Sequence, residues 1–267
     1  RSASNRSIGK ILRTAGPFDV AILLPNSTRC AIEAKKAGIP HIVGYPAKWR
    51  NRMIHQKIPP RDASAGPRPH HVTHYLKIAE TIGADLSDNT IFHPPPEKPK
   101  PEPNRIAISA GADYGPAKCW PAERFIAAAD HISERHPDAN FVLLGTRSET
   151  GTGKHISGKL GNRCEDLTGK TNLKNLIKEL RRCVLLITND TGSMHLAAHL
   201  GIPTVAIFGS TEPAWTGPIG EGHEVLRNHV PCSPCFLRQC PIDFSCMKKI
   251  TPIEVAGAVD DIFKRLA

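Results

Sequence analysis

The sequence predicts an α/β protein made of two units, each built on a parallel β-sheet. Short apolar runs of strand length alternate with amphipathic stretches of helix length, which is the pattern of βαβ units. A stiff proline-rich segment, residues 93–104, separates one such series from the next. The 267 residues suffice for one large or two ordinary domains with a real core.

The first unit, residues 1–92, contains few convincing strands. Its predicted strands are 18–24 and 41–45, its predicted helices are 28–37 and 72–82, and residues 46–69 form a basic irregular region. Two strands are few for a complete α/β domain. We therefore expect a shortened first unit.

The second unit, residues 105–250, has at least four predicted strands. The strands are 105–109, 141–144, 184–187 and 204–208, and helices are predicted at 122–136, around 173–180 and at 193–200. Residues 251–267 predict a final helix, since Val255, Val259, Ile262 and Leu266 repeat at spacings of four, three and four.

Three polar loops follow predicted strands of the second unit, and each suits a phosphorylated ligand. The first, 109–121, combines two glycines with Lys118, a compact charge suited to a diphosphate. The second, 188–195, offers a carboxylate, hydroxyls and the N–H groups of a helix N-terminus. Because carboxyl ends of parallel strands meet at one edge of a sheet, we expect both loops to converge with the third, 209–213. The candidate residues are Gly111, Tyr114, Lys118, Asp190, Thr191, Gly192, His195, Gly209 and Thr211.

Each loop also has a purely structural interpretation. The second loop could be a plain βα turn with Asp190 or Thr191 as N-cap. The first could be a long surface loop with a solvated Lys118 and a packed Trp120. Convergence of several loops favours the functional interpretation over either structural one.

The composition narrows the classes of function. A net charge of +10 and a pI of about 9.3 favour anionic partners such as nucleic acid, an acidic membrane surface or a phosphorylated glycan. Aromatic residues make up only 5%, too few for a base-stacking platform, so we expect no nucleic-acid partner. Runs of ~18 apolar residues are absent from the sequence, so it predicts no membrane span. No secretion signal is recognised either, which favours a reducing cytoplasm.

Two further patterns bear on phosphate and metal chemistry. The segment 151–155 resembles the end of a P-loop, but Ser148 stands where its first glycine is needed and His155 replaces the final hydroxyl residue. The sequence also has no Asp-x-Asp pair, which disfavours a metal-dependent sugar transferase. We therefore predict neither a P-loop nor a catalytic metal.

Eight cysteines are present, and four of them cluster near the C-terminus. The clustered residues are Cys232, Cys235, Cys240 and Cys246. Four thiolates at this spacing could hold zinc, but the spacing is shorter than in a two-pair zinc ribbon and three prolines stiffen the loop. Free or disulfide-capable thiols are the alternative that we favour. Cys183 opens an apolar strand and is predicted to be a buried thiol.

The motifs at 111–121, 188–198 and 208–213, with the cysteine-bearing tail, resemble glycosyltransferase family 9, the heptosyltransferases. Segments 24–27 and 38–44 resemble its first lobe, so the resemblance runs from about Phe18 to the C-terminus. It implies a GT-B fold, in which two Rossmann-like lobes flank a cleft and the final helix crosses back to lobe one. It also implies an inverting, metal-independent transfer of heptose from ADP-heptose to the inner core of lipopolysaccharide.

The resemblance assigns roles to individual residues. Lys118 would stabilise the departing diphosphate, and the residues of the three loops would bind the donor. The resemblance also places the acceptor, of Kdo–lipid A type, at the first lobe. Because the lipopolysaccharide core carries carboxylates and phosphates, we expect Asn26, Ser27, Lys48, Arg50 and Arg52, beside Arg61 and Arg68, to hold it. The alternative is a solvated basic loop with no specific partner. We expect the protein to work in the cytoplasm, in peripheral contact with the inner membrane.

One feature departs from the family pattern. Family members open with a strand and a Gly-Asp turn whose aspartate is the general base, and nothing before Phe18 matches that turn. We therefore expect a first lobe without its opening βα units, a helix at 2–13, and a general base that stays unassigned. The alternatives are another family 9 sugar transferase, an inactive nucleotide-binding remnant, and a zinc-bearing nucleic-acid-binding protein.

Overall fold

The structure is a computed structural model that describes residues 8–59, 66–87 and 100–266. It divides into two compact units, residues 1–88 and 89–267. Most of the predicted proline-rich linker, and Arg61 of the basic region, lie outside the described residues.

The first unit holds a three-stranded parallel sheet in the order β1-β2-β3. Its strands are β1 (Val20–Leu23), β2 (His41–Gly44) and β3 (Gln56–Lys57), and its helices are α1 (Ile8–Ala15), α2 (Thr28–Lys36) and α3 (Val72–Thr81). The Ser27 hydroxyl caps α2 by accepting the Arg29 N–H at 3.2 Å, and Gly38, at a φ of +79°, ends the helix. The region 46–69, predicted as irregular, instead contains a 3-10 helix at Lys48–Arg52 and strand β3.

The second unit holds a six-stranded parallel sheet. Its strands are β4 (Arg105–Ser109), β5 (Asn140–Leu143), β6 (Cys164–Asp166), β7 (Leu185–Asn189), β8 (Thr204–Phe208) and β9 (Glu224–Arg227). Its helices are α4 (Ala122–Arg135), α5 (Thr150–Leu160), α6 (Leu173–Arg181), α7 (Gly192–His199), α8 (Pro213–Thr216), α9 (Ser245–Lys248) and α10 (Pro252–Leu266).

The strand order of this sheet is β6-β5-β4-β7-β8-β9. Strand β5 pairs with one side of β4, and β6 pairs with the outer side of β5. The chain then returns to the middle of the sheet, where β7 pairs with the other side of β4. This is the order of a dinucleotide-binding sheet, whose ligands bind where the order reverses, at the carboxyl ends of the two central strands. The topology therefore directs attention to the loops after β4 and β7.

The core of the second unit covers both faces of the sheet. Ile106 and Ile108 of β4 face one cluster, which includes Phe125 of α4 and Val259 of α10. Ala107 faces the opposite cluster, to which α6 and α7 contribute. This alternation follows from the two-residue period of a strand, and helices on both faces are the rule for parallel sheets.

Helix α10 packs against α4 within the second unit. The Asp260 carboxylate contacts the His136 ring nitrogen at 2.8 Å, and the His136 ring lies 4.6 Å from that of Phe263. That the helix also reaches the first lobe stays a prediction. Among the described residues, no helix combines the length and apolarity needed to cross a membrane.

Candidate functional site

Asn189, the last residue of β7, joins the loops that follow the two central strands. Its side-chain amide donates to the Ala110 carbonyl at 2.7 Å, and its Oδ1 accepts the Trp120 backbone N–H at 3.0 Å. Asn189 is fully buried, and the Trp120 indole is anchored to the Ile250 carbonyl at 3.1 Å. The first loop is therefore held at both ends against the exit of β7.

The three candidate loops meet at the Asp190 carboxylate. Lys118 Nζ lies 2.5 Å from Asp190 Oδ2, and the Thr211 hydroxyl donates to the same oxygen at 2.7 Å. The Thr216 hydroxyl adds a longer contact of 3.4 Å. The ion pair is largely enclosed, with 13% of the Lys118 side chain and 5% of the Asp190 side chain exposed. The loops converge as the sequence predicted, since Lys118 and Asp190 are 72 positions apart.

The N-terminus of α7 presents hydroxyl and N–H groups beside this ion pair. Ser193 Oγ lies 2.9 Å from both Ser109 Oγ and Thr191 Oγ1, so one hydroxyl row joins β4 to α7. Gly192, the first residue of the helix, and His195, one turn later, are exposed. A helix start of this kind carries partial positive charge and free N–H donors. The residues fit an anionic ligand at this edge.

The cysteine-bearing loop, residues 232–246, braces two of the candidate loops. The Tyr114 hydroxyl donates to the Phe236 carbonyl at 2.6 Å, and the Ala117 N–H donates to the Arg238 carbonyl at 3.1 Å. The Ser233 hydroxyl donates to the Gly209 carbonyl at 2.6 Å. Sequence reasoning had given this loop no part in the site.

Two glycines make this bracing possible. Gly115 has a φ of +149°, and a Cβ there would lie 2.5 Å from the Arg238 carbonyl oxygen. A Cβ on Gly209 would lie 2.4 Å from the Met247 sulfur. Both positions require glycine because the neighbouring segment occupies the space of a side chain.

The four clustered cysteines are free thiols in the structure. Burial raises the pKa of the Cys246 thiol, with smaller contributions from the other three cysteines. Across the described ranges, no group of three or more Cys, His, Asp or Glu side chains is arranged to hold a metal ion. The zinc alternative therefore gains no support from this arrangement. Cys183 is 1% exposed, which confirms the predicted buried thiol.

Glu149 is a further polar group at this edge that sequence reasoning missed. It follows β5 as the last residue of a capping box, in which its Oε2 accepts the Thr146 N–H at 2.5 Å. Its carboxylate lies over Gly111, where a Cβ would be 1.8 Å from Oε1. A small cavity lined by Gly111, Glu149, Thr152 and Thr168 opens here. The Thr-x-x-Glu spacing after a predicted strand was the available signal.

The predicted acceptor residues of the first unit fall into two groups. Asn26, Ser27, Lys48 and Arg52 are exposed. Arg50, however, is fully buried, and its Nη1 donates to the Pro25 carbonyl at 2.9 Å. Burial lowers the pKa of this guanidinium. The prediction that these five residues bind the acceptor is therefore corrected for Arg50, which the fold encloses at the carboxyl ends of β1 and β2.

Comparison with known proteins agrees with this architecture. The sequence profile of glycosyltransferase family 9 (heptosyltransferase) matches residues 5–245. Lipopolysaccharide heptosyltransferase 2 of Escherichia coli (strain K12) is 28% identical over 243 residues, which are 83% of this chain and 68% of that protein.

Two solved structures share the fold. The E. coli ADP-heptose lps heptosyltransferase II matches 97% of this chain and 80% of its own, with 26% identity and a TM-score of 0.73. The family 9 glycosyl transferase of Veillonella parvula DSM 2008 matches 99% of this chain and 81% of its own, with 21% identity and a TM-score of 0.75. These likenesses confirm the predicted GT-B class. The residues that the family profile matches include all three candidate loops. The chain belongs to glycosyltransferase family 9.

Proposed function

We propose that the protein transfers heptose from ADP-heptose to the inner core of lipopolysaccharide. The observation that carries the proposal is the enclosed contact between Lys118 and Asp190 at the point where the strand order reverses. That position is where nucleotides bind in sheets of this topology. The similarity to proteins named lipopolysaccharide heptosyltransferase 2 supports heptose as the sugar.

The second unit is the proposed donor site. The diphosphate of the donor lies against Lys118, the hydroxyls of Thr191 and Thr211, and the N–H groups that begin α7 at Gly192. His195 and the backbone of Gly111 and Gly209 complete the walls of the pocket, with Tyr114 beside Lys118. These groups together suit an anion better than a neutral ligand.

Glu149 would recognise the nucleoside part of the donor. A carboxylate close to the glycine loop of a Rossmann-type sheet accepts hydrogen bonds from ribose hydroxyls. Glu149 lies over Gly111, directly after the strand next to β4, which is the place where such a carboxylate acts. Its second oxygen stays on the Thr146 N–H and fixes the side chain.

The proposed reaction is an inverting, metal-independent displacement. An acceptor hydroxyl attacks the anomeric carbon, the bond from that carbon to the diphosphate oxygen breaks, and ADP leaves with the electron pair. The hydroxyl proton passes to a base that is not yet assigned. Lys118 and the N-terminus of α7 stabilise the negative charge that develops on ADP. A base of this kind and such electrostatic stabilisation are the two requirements of the step.

The first unit is the proposed acceptor side, at the cytoplasmic face of the inner membrane. Its 3-10 helix carries Trp49, 75% exposed, between the exposed Lys48 and the nearby Arg52. An exposed tryptophan beside basic residues suits a membrane interface with anionic headgroups. Lys48 and Arg52 would hold the acidic acceptor there, together with Asn26 and Ser27.

Calorimetric titration of ADP tests the donor site. The wild type should bind ADP, and Asp190→Ala should weaken binding because Lys118, Thr211 and Thr216 lose the carboxylate that positions them. Asp261→Ala, which removes an exposed carboxylate on α10 that pairs with Lys264, is the matched control and should change nothing. Equal affinity of Asp190→Ala and the wild type would contradict the site.

A donor competition assay separates the alternatives. Transfer from ADP-heptose that other nucleotide sugars do not inhibit supports the proposal, whereas preference for another sugar favours a different family 9 transferase. ADP binding without any transfer identifies an inactive remnant. A salt-dependent DNA mobility shift would favour the nucleic-acid-binding alternative instead.

A further inference from the structure

The loop of residues 232–246 carries a second cation to the proposed diphosphate site. We propose that Arg238 binds the diphosphate of the donor together with Lys118. This inference rests on the proposed function, since it names a further residue of the same site. It gives the loop a part in donor binding that does not depend on the state of its thiols.

Lys118 by itself does not give the site a net positive charge. Lys118 Nζ lies 2.5 Å from Asp190, so the pair carries no net charge. A departing ADP needs a positive environment, and the Asp190 carboxylate that positions Lys118 also offsets part of its charge. A second cation near Lys118 would therefore add to the stabilisation of a bound diphosphate.

Arg238 is that cation, because it shares an aromatic ring with Lys118. The Tyr114 ring has Lys118 Nζ at 4.8 Å from its centroid and the Arg238 guanidinium carbon at 5.4 Å. Since Asp190 already neutralises Lys118, Arg238 is the cation at this ring whose charge remains available to an anion. Arg238 is exposed, and its Nη2 donates to the Asp113 backbone carbonyl over a long 3.5 Å. Among the described residues, no carboxylate side chain forms an ion pair with it.

The main chain holds Arg238 at this place. Its carbonyl oxygen accepts the Ala117 N–H at 3.1 Å, one residue before Lys118, and occupies the space next to Gly115. The Tyr114 hydroxyl bonds to the Phe236 carbonyl in the same loop. These contacts use backbone atoms of the loop, so substituting the Arg238 side chain leaves them in place. An arginine fork on a fixed backbone suits bidentate binding of phosphate oxygens.

The test compares Arg238→Gln and Arg238→Lys with the wild type for three probes: ADP, pyrophosphate and adenosine. We expect Arg238→Gln to weaken ADP and pyrophosphate binding about tenfold, the usual size for loss of a charge-assisted contact, and to leave adenosine binding unchanged. Arg238→Lys should keep part of the affinity. Lys249→Gln removes one exposed positive charge from the same C-terminal region and is the matched control.

The outcomes separate the inference from the proposed function. Unchanged ADP and pyrophosphate affinity in Arg238→Gln would overturn the inference, as would an equal loss for adenosine, which indicates a structural role. A wild type that binds pyrophosphate but not ADP overturns the proposed donor, while the effect of Arg238→Gln on pyrophosphate still decides the inference. In the wild type and Arg238→Lys, the ADP affinity should fall with ionic strength more steeply than in Arg238→Gln.

Discussion

The parallel sheets of the two units differ in how completely their faces are covered. In the second unit every residue of β4, β7 and β8 is buried, because helices cover both faces. In the first unit one face of β1 and its flanks is apolar and exposed: Phe18 is 42%, Val20 47%, Ile22 44% and Leu24 51% exposed. Parallel sheets are ordinarily covered on both sides. The proposed donor site thus lies in the unit whose sheet is covered on both faces.

The largest expected effect concerns the site of the second unit. Lys118→Ala should lower kcat roughly 10²- to 10³-fold, the usual loss when one group that stabilises developing charge is removed. The measurement is steady-state transfer from ADP-heptose. Lys10→Ala, an exposed lysine on α1 of the first unit, is the matched control and should leave kcat unchanged. An unchanged kcat in Lys118→Ala would place the leaving group elsewhere.

A pair of phenylalanine substitutions compares the cores directly. Phe141→Ala removes a side chain that is 1% exposed in the second unit and should cost about 3–5 kcal/mol of unfolding free energy. Phe18→Ala in the first unit should stay within about 0.5 kcal/mol of the wild type, since the ring is 42% exposed. Urea unfolding followed by circular dichroism gives both values. A similar large loss in Phe18→Ala would mean that this face is covered in solution.

The pH dependence of stability offers a smaller effect in each unit. Burial lowers the pKa of His74 in the first unit and of His223 in the second from the usual 6.5. The unfolded chain then binds more protons, so the unfolding free energy falls as the pH drops below 6.5 towards the lowered pKa values. His74→Phe keeps a ring stacked on Tyr45 and should flatten this slope for the first unit.

His223→Phe is the matching change in the second unit. Each variant should change the pH dependence of unfolding only for the unit that contains the substituted histidine. Urea unfolding at pH 5.5 and 7.5 measures the slope for each variant. If His74→Phe leaves the slope of the first unit as steep as in the wild type, His74 is not the group responsible.

The smallest expected effect concerns the proposed membrane contact of the first unit. Trp49→Ala should weaken binding to vesicles that contain anionic lipid, and Lys48→Gln should reduce it further by about 1 kcal/mol. Vesicle sedimentation at rising salt measures both changes, and ADP affinity should stay constant. Lys249→Gln in the second unit serves as the control. Binding that ignores salt and both substitutions would remove the membrane from the proposal.

Local patterns predicted most of the fold. Strands 105–109 and 204–208 coincide with β4 and β8, and the helix at 122–136 differs from α4 by one residue. Helix α5 was missed because three glycines in its eleven residues lower its helix propensity. Gly153 is needed there, since a Cβ would lie 2.3 Å from the Thr168 hydroxyl. The need for glycine at this position arises from packing against Thr168, and no local sequence pattern indicates it.

The sequence by itself determined the loops, because glycines, a lysine and hydroxyls after apolar runs are local patterns. Only the tertiary structure decided which of these groups meet, since strand order depends on long-range pairing. It brought Lys118 to Asp190 across 72 positions, and it placed Arg238 beside Tyr114 through backbone contacts that no spacing encodes. It also enclosed Arg50, which composition counts as one more surface charge. Burial is a property of the packed chain, so a basic residue's surroundings could not be read from its neighbours in sequence.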